Sequence, residues 1–190
     1  MESMRDRLID AATHLLDEGG AAAVTLREVG RLAGVSHNAP YKHFADKEHL
    51  LAAVAARELA RPRPASSNRA DQQWTDGADR ARRMMLAYVR WAMRYPARFK
   101  LTFGAWSIDS PELAEAATAA RSEIVSAIAA AQAAGDLPGT DPERVAALLM
   151  AVAHGAADLA LSGHLSREGK GHAAPEDLVE DLFEYVSTRR

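Results

Sequence analysis

An all-α chain organised as two modules is what the 190-residue sequence predicts, and three observations lead there. Apolar residues recur three and four apart along most of the chain, as one face of a helix requires. Strand-like alternation between turn signals is nearly absent. One polar, proline-bearing stretch at residues 61–71 (Arg-Pro-Arg-Pro-Ala-Ser-Ser-Asn-Arg-Ala-Asp) breaks the pattern and divides the chain. Apolar residues make up 48 %, enough for a core without staples, and the absence of cysteine excludes disulfides and thiolate zinc sites.

The elements follow in order. Leu8, Ile9, Ala12, Leu15 and Leu16 mark a first helix, ended by Gly19-Gly20. Thr25-Leu26-Arg27-Glu28 has the form of a capping box, with the Thr25 hydroxyl accepting from the third amide and Glu28 reaching back. The short helix it opens stops near Ala33-Gly34, and Ser36 opens a second short helix running to about Phe44. Asp46 caps a fourth helix, 46–60, through Leu50, Leu51, Val54 and Leu59. After the break, helices are expected from about Gln72 to Arg94, around Phe99 and Leu101, from Ser110-Pro111, from Asp141-Pro142 to Gly163, and from Pro175 to the C-terminus. Ser166–Ala174 reads as loop, and there is no internal repeat.

Composition narrows the function. The N-terminus carries charge straight into an amphipathic pattern, unlike a signal peptide, and no uninterrupted apolar run approaches the ~18 residues a membrane helix needs. A cytoplasmic protein without a membrane partner is expected. Net charge is −3, and the first fifty residues hold eight acids against Arg5, Arg7, Arg27, Arg31, Lys42 and Lys47. Bulk charge therefore does not advertise nucleic acid, and a DNA reading must rest on where particular groups stand.

Residues 25–44 place them well. A capped short helix, a turn at Gly34 and a second short helix form a unit able to lay one helix in a major groove. Gly34 suits an unusual backbone dihedral, and Val35 can pack between the helices. The second helix presents His37, Asn38, Ala39, Tyr41, Lys42 and His43, groups suited to base edges and phosphates. Phe44 reads as core. A helix pair of this kind also occurs as plain packing, so a helical interaction module without specific DNA binding is the alternative.

Ala33-Gly34-Val35-Ser36, then Tyr41-Lys42-His43-Phe44, then Asp46-Lys47-Glu48 with Leu50-Leu51 resemble the DNA-binding domain of the TetR (tetracycline-repressor-like) family over about residues 5–55. The resemblance implies a helix-turn-helix domain at 1–50, with helix 46–60 connecting it to a ligand-binding and dimerisation domain at 61–190. It implies that His37, Asn38 and Ala39 face base edges, and that Tyr41, His43, Lys47, Arg27 and Arg31 reach phosphates. Two residues depart from the family pattern. Gly30 stands where alanine is usual, at about 1 kcal/mol of helix propensity, and Pro40 lies within the recognition helix, where only a first-turn position suits it. Ala153-His154-Gly155 is similar to a subgroup signature, Trp-His-Gly, with alanine in place of the tryptophan.

In the second module, Met84, Tyr88, Trp91, Tyr95, Phe99, Phe103 and Trp106 make an aromatic and methionine-rich set. Helical spacing makes each a core residue by default. Their polar tips need partners, however, and pockets between bundle helices have this makeup. With the resemblance, they and His154 are candidates for a small, largely apolar effector. His154 and Asp158 are four apart, a spacing able to hold a metal, but no third ligand converges, so a hydrogen bond at a helix interface or pocket is expected instead. No cofactor is expected, nor any enzyme, because no nucleophile–base pair or phosphate loop is present. Small residues from Ala146 to Ala160 and the apolar stripe Leu178, Val179, Leu182, Phe183 and Val186 suit close helix approach, and the resemblance makes the last two helices the homodimer interface. The expectation is a dimeric ligand-responsive repressor on a palindromic operator.

Overall fold

The computed structural model describes residues 3–61 and 76–187, which fold into eight α-helices and one short 3-10 turn. The helices are α1 (Met4–Ala23), α2 (Leu26–Leu32), α3 (Lys47–Ala60), α4 (Asp76–Arg94), α5 (Pro96–Thr102), α6 (Pro111–Ala133), α7 (Pro142–Leu161) and α8 (Pro175–Val186), with the 3-10 turn at Pro40–Lys42 between α2 and α3. Among the described residues the only extended pairing is an isolated bridge between Ser166 and Gly171. The all-α expectation holds. Most of the 61–71 linker and the start of the helix expected from Gln72 lie outside the described residues.

Two compact units result. One joins the residues up to Arg61 with Tyr95–Ala119, and the other joins α4 with the residues from Ala120 onward. The first unit therefore takes back a segment that follows the linker, and α6 contributes to both.

In the first unit, caps set the helix starts. Ser3 accepts from the Asp6 amide, Thr25 from Glu28 at 3.1 Å, and Asp46 from His49 at 3.0 Å. Each satisfies a donor that the first helical turn leaves orphaned. Only half of the expected capping box forms, because the Glu28 carboxylate turns to Arg31. Helix α1 breaks at Gly19-Gly20, where Gly20 has φ 68, and resumes for three residues. Its buried face, Leu8, Ile9, Ala12, Leu15 and Leu16, packs with Val24, Leu26, Val29, Phe44, Leu50, Leu51 and Val54. Ala97, Leu101 and Trp106 cover the same core from the returning segment.

The second unit is held by α4 packed on α7 and α8. Met85, Leu86, Val89 and Ala92 of α4 are buried, as are Leu149, Ala153 and Ala157 of α7 and Val179 and Phe183 of α8. Ala127, Ile128 and Ala131 bury the end of α6. Arg82 is 2 % exposed and is neutralised by Asp79 at 2.9 Å and Glu180 at 2.7 Å, which fastens α4 to α8. Helix α8 was expected to reach the C-terminus, but it ends at Val186, and Ser187 is already extended.

Candidate nucleic-acid interface

The turn between α2 and the following segment is a Schellman closure. Gly34, at φ 67, donates to the Arg31 carbonyl at 3.2 Å, and Val35 donates to Gly30 at 3.0 Å. An L-residue is disfavoured at that dihedral, which accounts for the glycine. Arg7 of α1 donates to the Ala33 carbonyl at 2.6 Å, so a side chain joins the two backbone bonds in holding the end of α2.

The recognition helix expected from Ser36 to Phe44 is not an α-helix. Residues 37–39 form a turn and Pro40–Lys42 a 3-10 turn. Successive bonds span three residues: Ala39 N to Ser36 O, Lys42 N to Ala39 O and His43 N to Pro40 O, at 3.0–3.1 Å. Pro40 is the cause. It has no N–H to give the Ser36 carbonyl, and its ring would clash with that carbonyl in an α-helix. The proline occupies the first position of the 3-10 turn, where the missing donor costs nothing.

Around this frame, burial sorts the segment. Pro40 is buried, Phe44 is 4 % exposed and Val35 packs partly against the core. His37, Asn38, Tyr41, Lys42 and His43 are exposed, Tyr41 at 57 %, and Ala39 is half-buried. Two buried anchors thus hold five polar groups outward on a segment of seven residues. Lys47 is half-buried at the first position of α3, and Arg27 is exposed on α2. Arg31 is also exposed, but it is engaged by Glu28 (Nε to Oε1, 2.9 Å). That bond raises the Arg31 guanidinium above its ordinary value and lowers the Glu28 carboxyl below its own. Both ions stay charged at neutral pH, so Arg31 meets a phosphate only by leaving or sharing Glu28.

Spacing in the sequence did not reveal the supports behind this surface. Arg5 lies over the Phe44 ring at 5.3 Å and pairs with Glu112. Glu48, next to Lys47, accepts from the Ser107 amide at 2.7 Å and from its hydroxyl at 2.5 Å. These bonds hold the Glu48 carboxyl below the usual glutamate value.

Comparison with known proteins agrees with this architecture. Residues 8–54 match the family model for bacterial regulatory proteins of the tetR family, and residues 81–186 match that for the tetracyclin repressor-like C-terminal domain. The chain belongs to the TetR family. Among curated TetR relatives, the HTH-type transcriptional repressor KstR of Rhodococcus jostii is 40 % identical over 57 residues, 30 % of this chain and 27 % of that protein. The tetracycline repressor class A from transposon 1721 of Escherichia coli is 38 % identical over 85 residues, 43 % of this chain and 39 % of its own length. The chain thus aligns with only about a quarter to two-fifths of these curated relatives (27 % and 39 %). A solved structure of a protein of unknown function from Rhodococcus sp. RHA1 is similar over 97 % of this chain and 94 % of its own, at 31 % identity and TM-score 0.78. A TetR transcriptional regulator from the same source shares the fold at 22 % identity and TM-score 0.64, over 94 % of this chain and 91 % of that one.

In TetR terms, the candidate effector residues fall in both units. Met84, Tyr88, Trp91 and His154 belong to the second. There the Tyr88 hydroxyl lies 2.8 Å from His154 Nδ1, and the Tyr88 and Trp91 rings are 6.0 Å apart. Tyr95, Phe99, Phe103 and Trp106 belong to the first. Phe99 is buried against Phe103 at 5.8 Å, Tyr95 lies under the Arg98 guanidinium at 4.2 Å, and Trp106 packs on the α1–α3 core. Among the described residues no three His, Asp or Glu side chains gather as a metal site would require.

Proposed function

We propose that this chain is a cytoplasmic, dimeric, ligand-responsive transcription regulator, a repressor that binds a palindromic operator and is released by a small, largely apolar effector. The supporting observation is the exposed row His37, Asn38, Tyr41, Lys42 and His43, held out from a Schellman-turned helix pair by buried Pro40 and Phe44. Asn38, His37 and the Ala39 methyl suit base edges, whereas Tyr41, Lys42, His43, Lys47, Arg27 and Arg31 suit phosphates. Two such surfaces in a two-fold dimer would enter successive major grooves about 34–36 Å apart.

The effector reading centres on Tyr88, Trp91 and His154, two buried aromatic rings and a half-buried imidazole joined by the Tyr88–His154 bond. A ligand that favours one dimer spacing shifts DNA affinity only by its preference between states, typically about 1–3 kcal/mol. Helix α3 is the element suited to carry that preference, because Lys47 lies at one end of it and the linker follows the other.

The test is a mobility shift of purified protein with DNA immediately upstream of its coding region, at two salt concentrations and with competitor. A band surviving competitor supports the reading and supplies the assay for effector release. Binding abolished by competitor, there and across a random duplex pool, would favour a helical interaction module instead.

A further inference from the structure

Gly30 and Pro40, both unusual for their positions in the motif, meet each other. A Cβ on Gly30 would stand 3.1 Å from Pro40 Cγ, 3.5 Å from Cδ and 3.6 Å from the Ser36 carbonyl oxygen. The first of these is tighter than ordinary carbon contact. Both residues are buried. Thus the glycine leaves the place that the proline ring fills, and the two departures form one packed pair between α2 and the reading segment.

The consequence lies in how that segment winds. With no amide on Pro40, the bonds from Ala39, Lys42 and His43 run three residues back, and the Pro40 carbonyl also receives Phe44 N, four residues on, at 3.0 Å. Asn38 stands in the turn just before the 3-10 turn at Pro40–Lys42, and winding at about three residues per turn brings Tyr41 toward the edge that Asn38 occupies. In an α-helix the same two residues would be turned by about 300° and separated by about 4.5 Å. We propose that the Gly30–Pro40 contact is a specificity-determining positioning pair: it fixes the three-per-turn winding that lines up the base-facing Asn38 with the phosphate-gripping Tyr41. The inference rests on the DNA-binding reading and adds to it which bases are reached, because the pair sets the offset between grip and reader.

The experiment uses the full chain and a randomised 24-base-pair duplex pool. Wild type, Gly30→Ala, Pro40→Ala and the double variant are each carried through selection, and the enriched sequences are then used for affinity and salt dependence. Pro40→Ala is expected to enrich a sequence changed at the base positions Asn38 reads, while its slope of affinity against salt, which counts phosphate contacts, stays as in wild type. Gly30→Ala is expected to weaken binding to the wild-type sequence at least about five-fold more when Pro40 is present than when position 40 is alanine. Merely structural damage would lower all binding without moving the preferred bases. Where Gly30→Ala does not fold, as judged by circular dichroism, Pro40→Ala carries the test, since it adds no bulk to the core and restores the amide N–H. The same preferred sequence for wild type and Pro40→Ala, whether or not the affinity falls, would overturn the inference and leave the DNA reading standing. No enrichment by wild type would overturn both.

Discussion

Arg98 donates from Nη1 to Glu58 Oε1 at 3.1 Å, and Glu58 is 1 % exposed at the far end of α3 from Lys47. The same guanidinium forks onto Asp17 of α1 at 2.8 and 2.5 Å and lies over Tyr95, so one side chain of α5 ties α1 and α3 together. The Asp17 bond, ahead of the opposing burial, raises the Arg98 guanidinium above its ordinary value, so it carries charge at every working pH. Removing one partner of a buried pair strands the other. Arg98→Met should therefore destabilise the first unit by about 3 kcal/mol in urea unfolding followed by circular dichroism. Arg98→Lys should recover little, lacking the planar fork. A loss below about 1 kcal/mol would mean that Arg61, 3.5 Å from Glu58, takes over.

Two substitutions on the proposed reading surface should separate grip from reading. Lys42 is exposed and bears only charge, so Lys42→Ala should weaken binding to all duplexes alike and reduce the salt slope by about 0.9. Asn38→Ala should leave the slope unchanged and relax base preference, at about 1–3 kcal/mol for the preferred duplex. Both side chains are exposed, so stability should hold within about 0.5 kcal/mol. An unchanged slope for Lys42→Ala would place that lysine away from the phosphates.

Local signals in the sequence were legible where a single residue decides the backbone. Gly19-Gly20 does break α1, Gly34 does adopt the turn dihedral, and Thr25, Asp46 and Asp141 do cap helices. Signals that compete were not resolved by pattern. Glu28 could reach back to its cap or forward to Arg31, and a fork of charged bonds outweighs one amide. Pro40 was visible, but its effect depended on a partner ten residues away that makes room for its ring. Arg98 and Asp17, 81 residues apart, carry no mutual spacing signal at all. For the same reason, the return of Tyr95–Ala119 to the first unit could not be read from the linker.

Glu48 and Ser107 supply a pH prediction. The hydroxyl and amide of Ser107 stabilise the Glu48 carboxylate and lower its pKa from the ordinary 4.5. A lowered folded value means the contribution is complete above the unfolded value, near 4.5, and is lost as pH falls through the lower folded one. Carboxyl-carbon NMR should find Glu48 titrating below the usual glutamate range. In Ser107→Ala its midpoint should rise, though not fully, because the amide remains. Identical midpoints in the two proteins would show that the clasp does not form in solution.

Helix α7 is apolar beyond what its own unit covers. It is long and apolar enough by composition to cross a membrane, yet only 28 % of that stretch is buried. Leu148 and Leu159 are 49 and 46 % exposed and, with Val152 and Gly155 between them, form one stripe, while Tyr185 of α8 is 85 % exposed. Arg144 and Asp158 interrupt the helix with charge, which fits a face meeting another protein surface better than lipid. A second copy packed through α7 and α8 would cover it. Leu148→Arg with Leu159→Arg should then yield a folded monomer by analytical ultracentrifugation. Operator affinity should drop roughly a hundred-fold, because two linked reading heads become one. A double variant that stays dimeric would move the interface off this stripe. One that becomes monomeric yet binds the operator undiminished would show that a single reading head suffices.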